Sequence, residues 1–124
     1  MTRVVLVDDN ESILNALREY LTLHQGIEVA GTTNSARNAI DLIEYLQPDL
    51  VITDLNMPEI SGLELTRQLR QLHPHLSIIV LTGTETPQHR KQALDAGADA
   101  FLGKMSALTS LVTTIQELGA PQLH

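Results

Sequence analysis

The stretch VITDLNMPEISG, Val51 to Gly62, decides how this chain folds. An apolar, β-branched run ends on one carboxylate, Asp54, and gives way to a loop carrying Met57, Pro58 and Gly62. A strand that is apolar at every position is covered on both faces, because a half-exposed strand would alternate with polar residues. Outward from it the same unit recurs. Val4–Val7, Ile27–Thr32, Leu50–Thr53, Leu76–Leu81 and the short Ala100–Leu102 read as strands, and the segments between them have helical period. Ile13, Leu14, Leu17, Tyr20 and Leu21 fall on one face of a first helix ended by Gly26. Asn34 or Ser35 can cap a second helix, with Ala36, Ile40, Ile43 and Leu46 inward and Pro48 beyond it. Leu63, Leu65, Leu69 and Leu72 mark a third, closed by Pro74. Thr86 and Pro87 make a cap and a first-turn proline for a fourth, which stops at Gly97. Ser106 caps a fifth, with Leu108, Leu111, Val112, Ile115 and Leu118 inward. Right-handed crossovers turn such a string into a parallel sheet with helices on both faces, a doubly wound α/β domain.

The chain has 124 residues, enough for one domain with a real core. Apolar residues make up 43% and charged ones 19%, and no apolar run approaches the ~18 residues of a membrane span. The N-terminus enters its first strand too soon for a secretory signal, and without cysteine nothing depends on an oxidising compartment, so the cytoplasm is expected. Fifteen acids against eight bases give a net charge of −7, a surface that repels nucleic acid and anionic membrane. Any contact with DNA would belong to another domain.

Ligands of doubly wound sheets bind at the carboxyl ends of the strands, where the strand order reverses. The first strand ends in Asp8-Asp9, the third in Asp54, the fourth in Thr82-Gly83, and the fifth leads through Gly103 into Lys104. The second ends in Thr32-Thr33, with nothing ionisable. Three carboxylates, a hydroxyl and an ammonium therefore converge on one rim. Two carboxylates about 5 Å apart repel by roughly 3 kcal/mol at an effective dielectric near 20, and one lysine cannot offset three. That leaves room for a divalent cation, and oxygen donors without His or Cys suit Mg2+ or Mn2+. A divalent cation and a lysine around an aspartate form an apparatus for a phosphoryl group, with the aspartate as nucleophile and Thr82 as donor to a phosphoryl oxygen.

The series Asp8-Asp9, Asp54-Leu55-Asn56-Met57-Pro58 with Gly62, Thr82-Gly83, and Gly97-Ala98-Asp99-Ala100-Phe101-Leu102-Gly103-Lys104 resembles the receiver domain of bacterial two-component response regulators, over essentially the whole chain. The resemblance implies a flavodoxin-like sheet of five parallel strands in the order 2-1-3-4-5 with five helices. Residues 1–118 would form the receiver, and 119–124 a tail or the start of a linker. Asp54 would be the phosphoacceptor, charged by a sensor histidine kinase. Asp9 would ligate Mg2+ directly, Asp8 largely through water, and Asp54 and the Asn56 backbone carbonyl would complete the ligands. Lys104 would pair with the phosphoryl oxygens. Thr82 and Phe101 would be a switch pair, and Asn56 and Thr84 would tune the lifetime of the phosphoryl group. The domain would catalyse its own phosphorylation and dephosphorylation without turning over a separate substrate, and a phosphorylation-dependent homodimer and control of transcription through a following DNA-binding domain are the expected outputs.

Two features depart from the common pattern. Met105 follows Lys104 where many receivers have proline, so a trans bond is expected there. That replacement is frequent in the NarL/FixJ-type subfamily. Gly83 follows the switch threonine where alanine is usual. Other readings compete. Asp8-Asp9 could be a strand exit and helix cap, Asp54 a turn residue, Phe101 plain core and Lys104 a surface lysine. Histidines 24, 73, 75, 89 and 124 read as surface residues. A pseudo-receiver acting through protein contacts alone would normally lack one of the acids or the lysine. A dehalogenase-like phosphatase would want an aspartate where Asn56 stands, and an FMN carrier a hydroxyl- and glycine-rich loop where Asp8-Asp9-Asn10-Glu11 stands.

Overall fold

The computed structural model describes residues 1–83, 85–104 and 108–119. The expectations for Thr84, for the bond before Met105, for Ser106 and for the tail from Ala120 to His124 lie outside the described residues. The chain runs β1 (Thr2–Val7), α1 (Glu11–Thr22), β2 (Ile27–Thr33), α2 (Ala36–Leu46), β3 (Leu50–Asp54), α3 (Gly62–Leu72), β4 (Ser77–Thr82), α4 (Pro87–Ala96), β5 (Ala100–Gly103) and α5 (Leu108–Gly119). All strand pairs are parallel, in the order β2-β1-β3-β4-β5. The order reverses between β1 and β3, so the crevice that doubly wound sheets offer to ligands opens where these two strands end.

Local chemistry sets the boundaries. The Asn10 side chain accepts from the Ser12 and Ile13 amides, Ser35 from Asn38, Ser61 from Glu64 and Thr86 from His89, each satisfying an amide that the first helical turn leaves unpaired. Pro87 stands in the first turn of α4, and Gly97 ends it with φ +116°, a left-handed conformation that favours glycine. The sheet is covered on both faces. Val5, Val7, Val51, Ile78, Val80 and Phe101 face α2, α3 and α4, while Val4, Leu6, Leu50, Ile52, Ile79 and Leu81 face α1 and α5. Burial is uneven among the helices: α1 inserts Leu14, Leu17 and Leu21, whereas α4 inserts only Ala93 and Ala96.

At the pole where the strands begin, side chains extend the backbone ladder. The Asp49 carboxylate accepts the Arg3 amide at 2.8 Å, and the Asp99 carboxylate accepts the Ile78 amide at 2.8 Å. Arg70 ties three elements together there. Its Nε and Nη2 donate to the Gly97 carbonyl at 3.0 and 2.7 Å, its Nη1 to the Pro74 and Leu76 carbonyls at 2.9 and 2.6 Å, and its Nη2 pairs with Asp99 at 2.9 Å.

Three expectations are corrected. Helix α1 stops at Thr22, with Leu23 as its cap, and Gly26 at φ +88° shapes the turn that follows. Leu72 and Leu108 are 56% and 41% exposed rather than inward, each standing at the terminal position of its helix, the last of α3 and the first of α5. His73 is not a surface residue: its side chain is 17% exposed, and its buried Nε2 lies 3.4 Å from Glu44 Oε2 without a hydrogen-bond partner.

Replacing Arg70 by alanine leaves carbonyls and Asp99 without their donor, and should lower unfolding free energy in urea by about 3 kcal/mol. Arg67→Ala, which removes only an exposed pair with Glu64, should change it by less than about 0.5 kcal/mol.

Candidate functional site

The parallel sheet delivers Asp8 just past β1, Asp54 at the end of β3 and Lys104 just past β5 to one rim. Lys104 starts two strands away from Asp54, and neighbouring strands lie about 4.8 Å apart, so only a long side chain can cross the end of β4. Its backbone amide donates to the Thr82 carbonyl at 2.7 Å, which fixes the direction of departure. Its Nζ then lies 2.9 Å from Asp8 Oδ2 and 3.1 Å from Asp54 Oδ1. Asp8 and Asp54 are buried, and Asp9 is exposed. The second Asp8 oxygen accepts the Asn10 amide at 2.9 Å. Both oxygens of Asp8 are thus engaged within the protein, whereas Asp9 faces out.

Carboxylate oxygens of Asp8, Asp9 and Asp54 lie within 4.8 Å of one another. A hard, all-oxygen donor set with one member open to solvent fits a divalent cation such as Mg2+ or Mn2+. The electrostatics point the same way. Burial, and then the charge of Asp8, raise the Asp54 carboxyl above the ordinary aspartate value, and Lys104 and the Asn56 backbone amide only partly oppose them. Burial pushes the Lys104 ammonium down, but its hydrogen bonds and charge interactions with Asp8 and Asp54 outweigh burial and raise it. The lysine therefore stays charged while the carboxylates around it remain in excess.

The remaining expected residues fall as follows. Thr82 ends β4 fully buried, with Asp54 in register with its neighbour Leu81. Phe101 is 1% exposed, with its ring in the core between the sheet and the α2, α3 and α4 layer. Asn56 is exposed on the loop after Asp54. That loop contains a tight turn not foreseen in the sequence. The Ile60 amide bonds the Pro58 carbonyl at 2.8 Å around Glu59, whose φ is +68°, a γ-turn of the rarer and strained hand. Arg37 of α2 holds the Glu59 carboxylate at 3.2 Å. The buried hydroxyls of Thr53 and Thr66 also went unread. The first donates to the Asp54 carbonyl at 3.1 Å and the second to the Gly62 carbonyl at 2.7 Å. Buried threonines in a strand and a helix leave no pattern in sequence that separates them from ordinary core.

A family model described as response regulator receiver domain matches residues 4–116. The response regulator MprA of Mycolicibacterium vanbaalenii is 38% identical over 117 residues, which are 94% of this chain and 49% of that protein. The chain thus spans about half the length of this curated relative. Among solved structures, the signal receiver domain of the response regulator NarL from Mycobacterium tuberculosis superposes with a TM-score of 0.90 at 26% identity, covering 98% of both chains. A DNA-binding response regulator of the LuxR family from Staphylococcus aureus superposes with a TM-score of 0.89 at 28% identity, covering 96% of this chain and 99% of that one.

An acid whose folded-state value is raised keeps its proton longer when folded than when unfolded, so its ionisation weakens the fold as pH rises above the ordinary value of 3.8. Asp54→Asn should therefore melt at a higher temperature than the parent at pH 7. The gain should shrink as the pH is lowered toward and below 3.8. Thermal melts of the two proteins across that range check this.

Proposed function

We propose that this chain, which belongs to the response regulator receiver domain family of two-component systems, accepts a phosphoryl group on Asp54 from the phosphohistidine of a sensor kinase. The observation that carries the reading is the Lys104 ammonium held between Asp8 and Asp54, beside an open Asp9. An Asp54 carboxylate oxygen attacks phosphorus, the bond from phosphorus to the histidine nitrogen breaks, and the electron pair returns to the imidazole. Lys104 neutralises charge on the phosphoryl oxygens, and the bond from its backbone amide to the Thr82 carbonyl helps to aim it at Asp54. Asp9, Asp54 and the Asn56 carbonyl would hold Mg2+, and Asp8, whose oxygens are already engaged, would reach it through water. When bound, Mg2+ would supply further neutralisation of the charge on the carboxylate and phosphoryl oxygens.

Thr82 and Phe101 act as the switch pair in this reading. The hydroxyl of Thr82 turns toward the new phosphoryl oxygens, and the aromatic ring, already inward, occupies the space beside it. Asn56 and Thr84 set the lifetime of the phosphorylated state. The reaction takes place in the cytoplasm, and the output is control of transcription through a DNA-binding segment beyond this domain, which the DNA-binding LuxR-family relative supports. The acidic surface of this domain itself disfavours nucleic acid.

With acetyl phosphate and Mg2+, intact-mass spectra should show one added phosphoryl group on the parent chain and none on Asp54→Asn. An unmodified parent, together with no heat of binding in a Mg2+ titration, would favour a pseudo-receiver that works through protein contacts alone. Sedimentation with and without beryllofluoride and Mg2+ checks the phosphorylation-dependent homodimer, for which a doubled mass is the expected result.

A further inference from the structure

Gly62 is the first residue of α3, and it is buried against the last residue of β3. A Cβ placed on it would overlap the Asp54 carbonyl oxygen and lie 2.9 Å from the Asp54 carbonyl carbon and 3.0 Å from Leu55 Cα. No positive φ is involved, so the requirement is one of space alone. All three contacts are backbone, and none is the tip of a side chain that could swing aside. The junction is also fastened on each side. The Gly62 amide donates to the Leu55 carbonyl at 2.8 Å, Thr66 Oγ1 donates to the Gly62 carbonyl at 2.7 Å, and Thr53 Oγ1 donates to the Asp54 carbonyl at 3.1 Å.

Resting on the reading of Asp54 as phosphoacceptor, the geometry points to Gly62 as the positioning residue for Asp54. Lacking a side chain, it lets the start of α3 close onto the Asp54 carbonyl, and this contact sets where the Asp54 carboxylate stands relative to Lys104 and Asp8. A methyl group at Gly62 pushes backbone from backbone, and the shortest way to relieve the overlap is to move the Asp54 peptide. The carboxylate then leaves the position in which Lys104 Nζ meets it at 3.1 Å. A misplacement near 1 Å at a reacting group costs on the order of 100-fold in rate.

The test compares Gly62→Ala with Gly119→Ala in the full chain. Gly119 is the control because the three atoms nearest to a Cβ there all belong to the Thr2 side chain, at the opposite pole. Phosphorylation by acetyl phosphate and Mg2+ is followed by intact mass, at a temperature where circular dichroism shows each protein folded. Gly62→Ala should be slowed roughly 100-fold, and Gly119→Ala should keep the parent rate. Trimethylamine oxide, which strengthens burial without touching the site, should raise the melting temperature of Gly62→Ala and leave its rate low. A parent-like rate in folded Gly62→Ala, or recovery of the rate with the osmolyte, would overturn the inference. If Gly62→Ala does not fold, Thr66→Val decides: loss of its hydroxyl from the Gly62 carbonyl should slow phosphorylation about fivefold, and an unchanged rate would overturn the inference. An unmodified parent would overturn the phosphoacceptor reading and this inference with it, whereas a modified parent and an equally fast Gly62→Ala would overturn this inference alone.

Discussion

A half-buried lysine bridging two buried aspartates is the interaction on which the upper rim depends. Asp8 and Asp54 are brought together by the pairing of β1 with β3, and that pairing is fixed by apolar residues facing both helical layers. The sheet thus forces two like charges close, with a third on Asp9 beside them. Repulsion of roughly 3 kcal/mol per pair at about 5 Å is a substantial share of the 5–15 kcal/mol or so that a domain has in total. Lys104 relieves part of it, and what remains is an attraction for cations. The same excess charge that weakens the fold is what suits the rim to divalent metal and to phosphoryl oxygens.

Most of this arrangement is legible in the sequence, because its causes are local. Strands covered on both faces are written as unbroken apolar runs, helices as three- and four-residue spacing, and caps as Ser35 and Thr86 ahead of those runs. Once the strands are parallel, their ends must share a rim, so Asp8, Asp9, Asp54, Thr82 and Lys104 could be grouped before any distance was measured. Phe101 is buried as expected of either a core or a switch residue, and burial alone does not separate the two.

What was illegible depends on contacts between segments far apart in the chain. Nothing in the local sequence singles out Arg70, yet it joins the end of α3 to Gly97 and Asp99. His73 reads as a surface residue and packs instead beside Glu44 of α2. Leu72 and Leu108 keep the helical spacing of a core residue but stand at the terminal positions of α3 and α5 and are exposed. The left-handed Glu59 has no glycine or asparagine to announce it, since Arg37 and the neighbouring turn hold it in place. Periodicity reports which face of an element is apolar and says nothing of where its neighbour ends.

The alanines of α4 have a further consequence. The free energy needed to lift a helix from a sheet grows with the apolar area it uncovers, at roughly 25 cal/mol per Å2. Ala93 and Ala96 uncover far less than the three leucines of α1, and the tie from Arg70 meets this helix at the Gly97 carbonyl, at the far end from Thr86. Of the five helices, α4 is therefore the cheapest to detach at its leading turn, and slow amide exchange should be least there. The rigid sheet makes the rim, and its most loosely glued neighbour begins five residues past the last residue of β4.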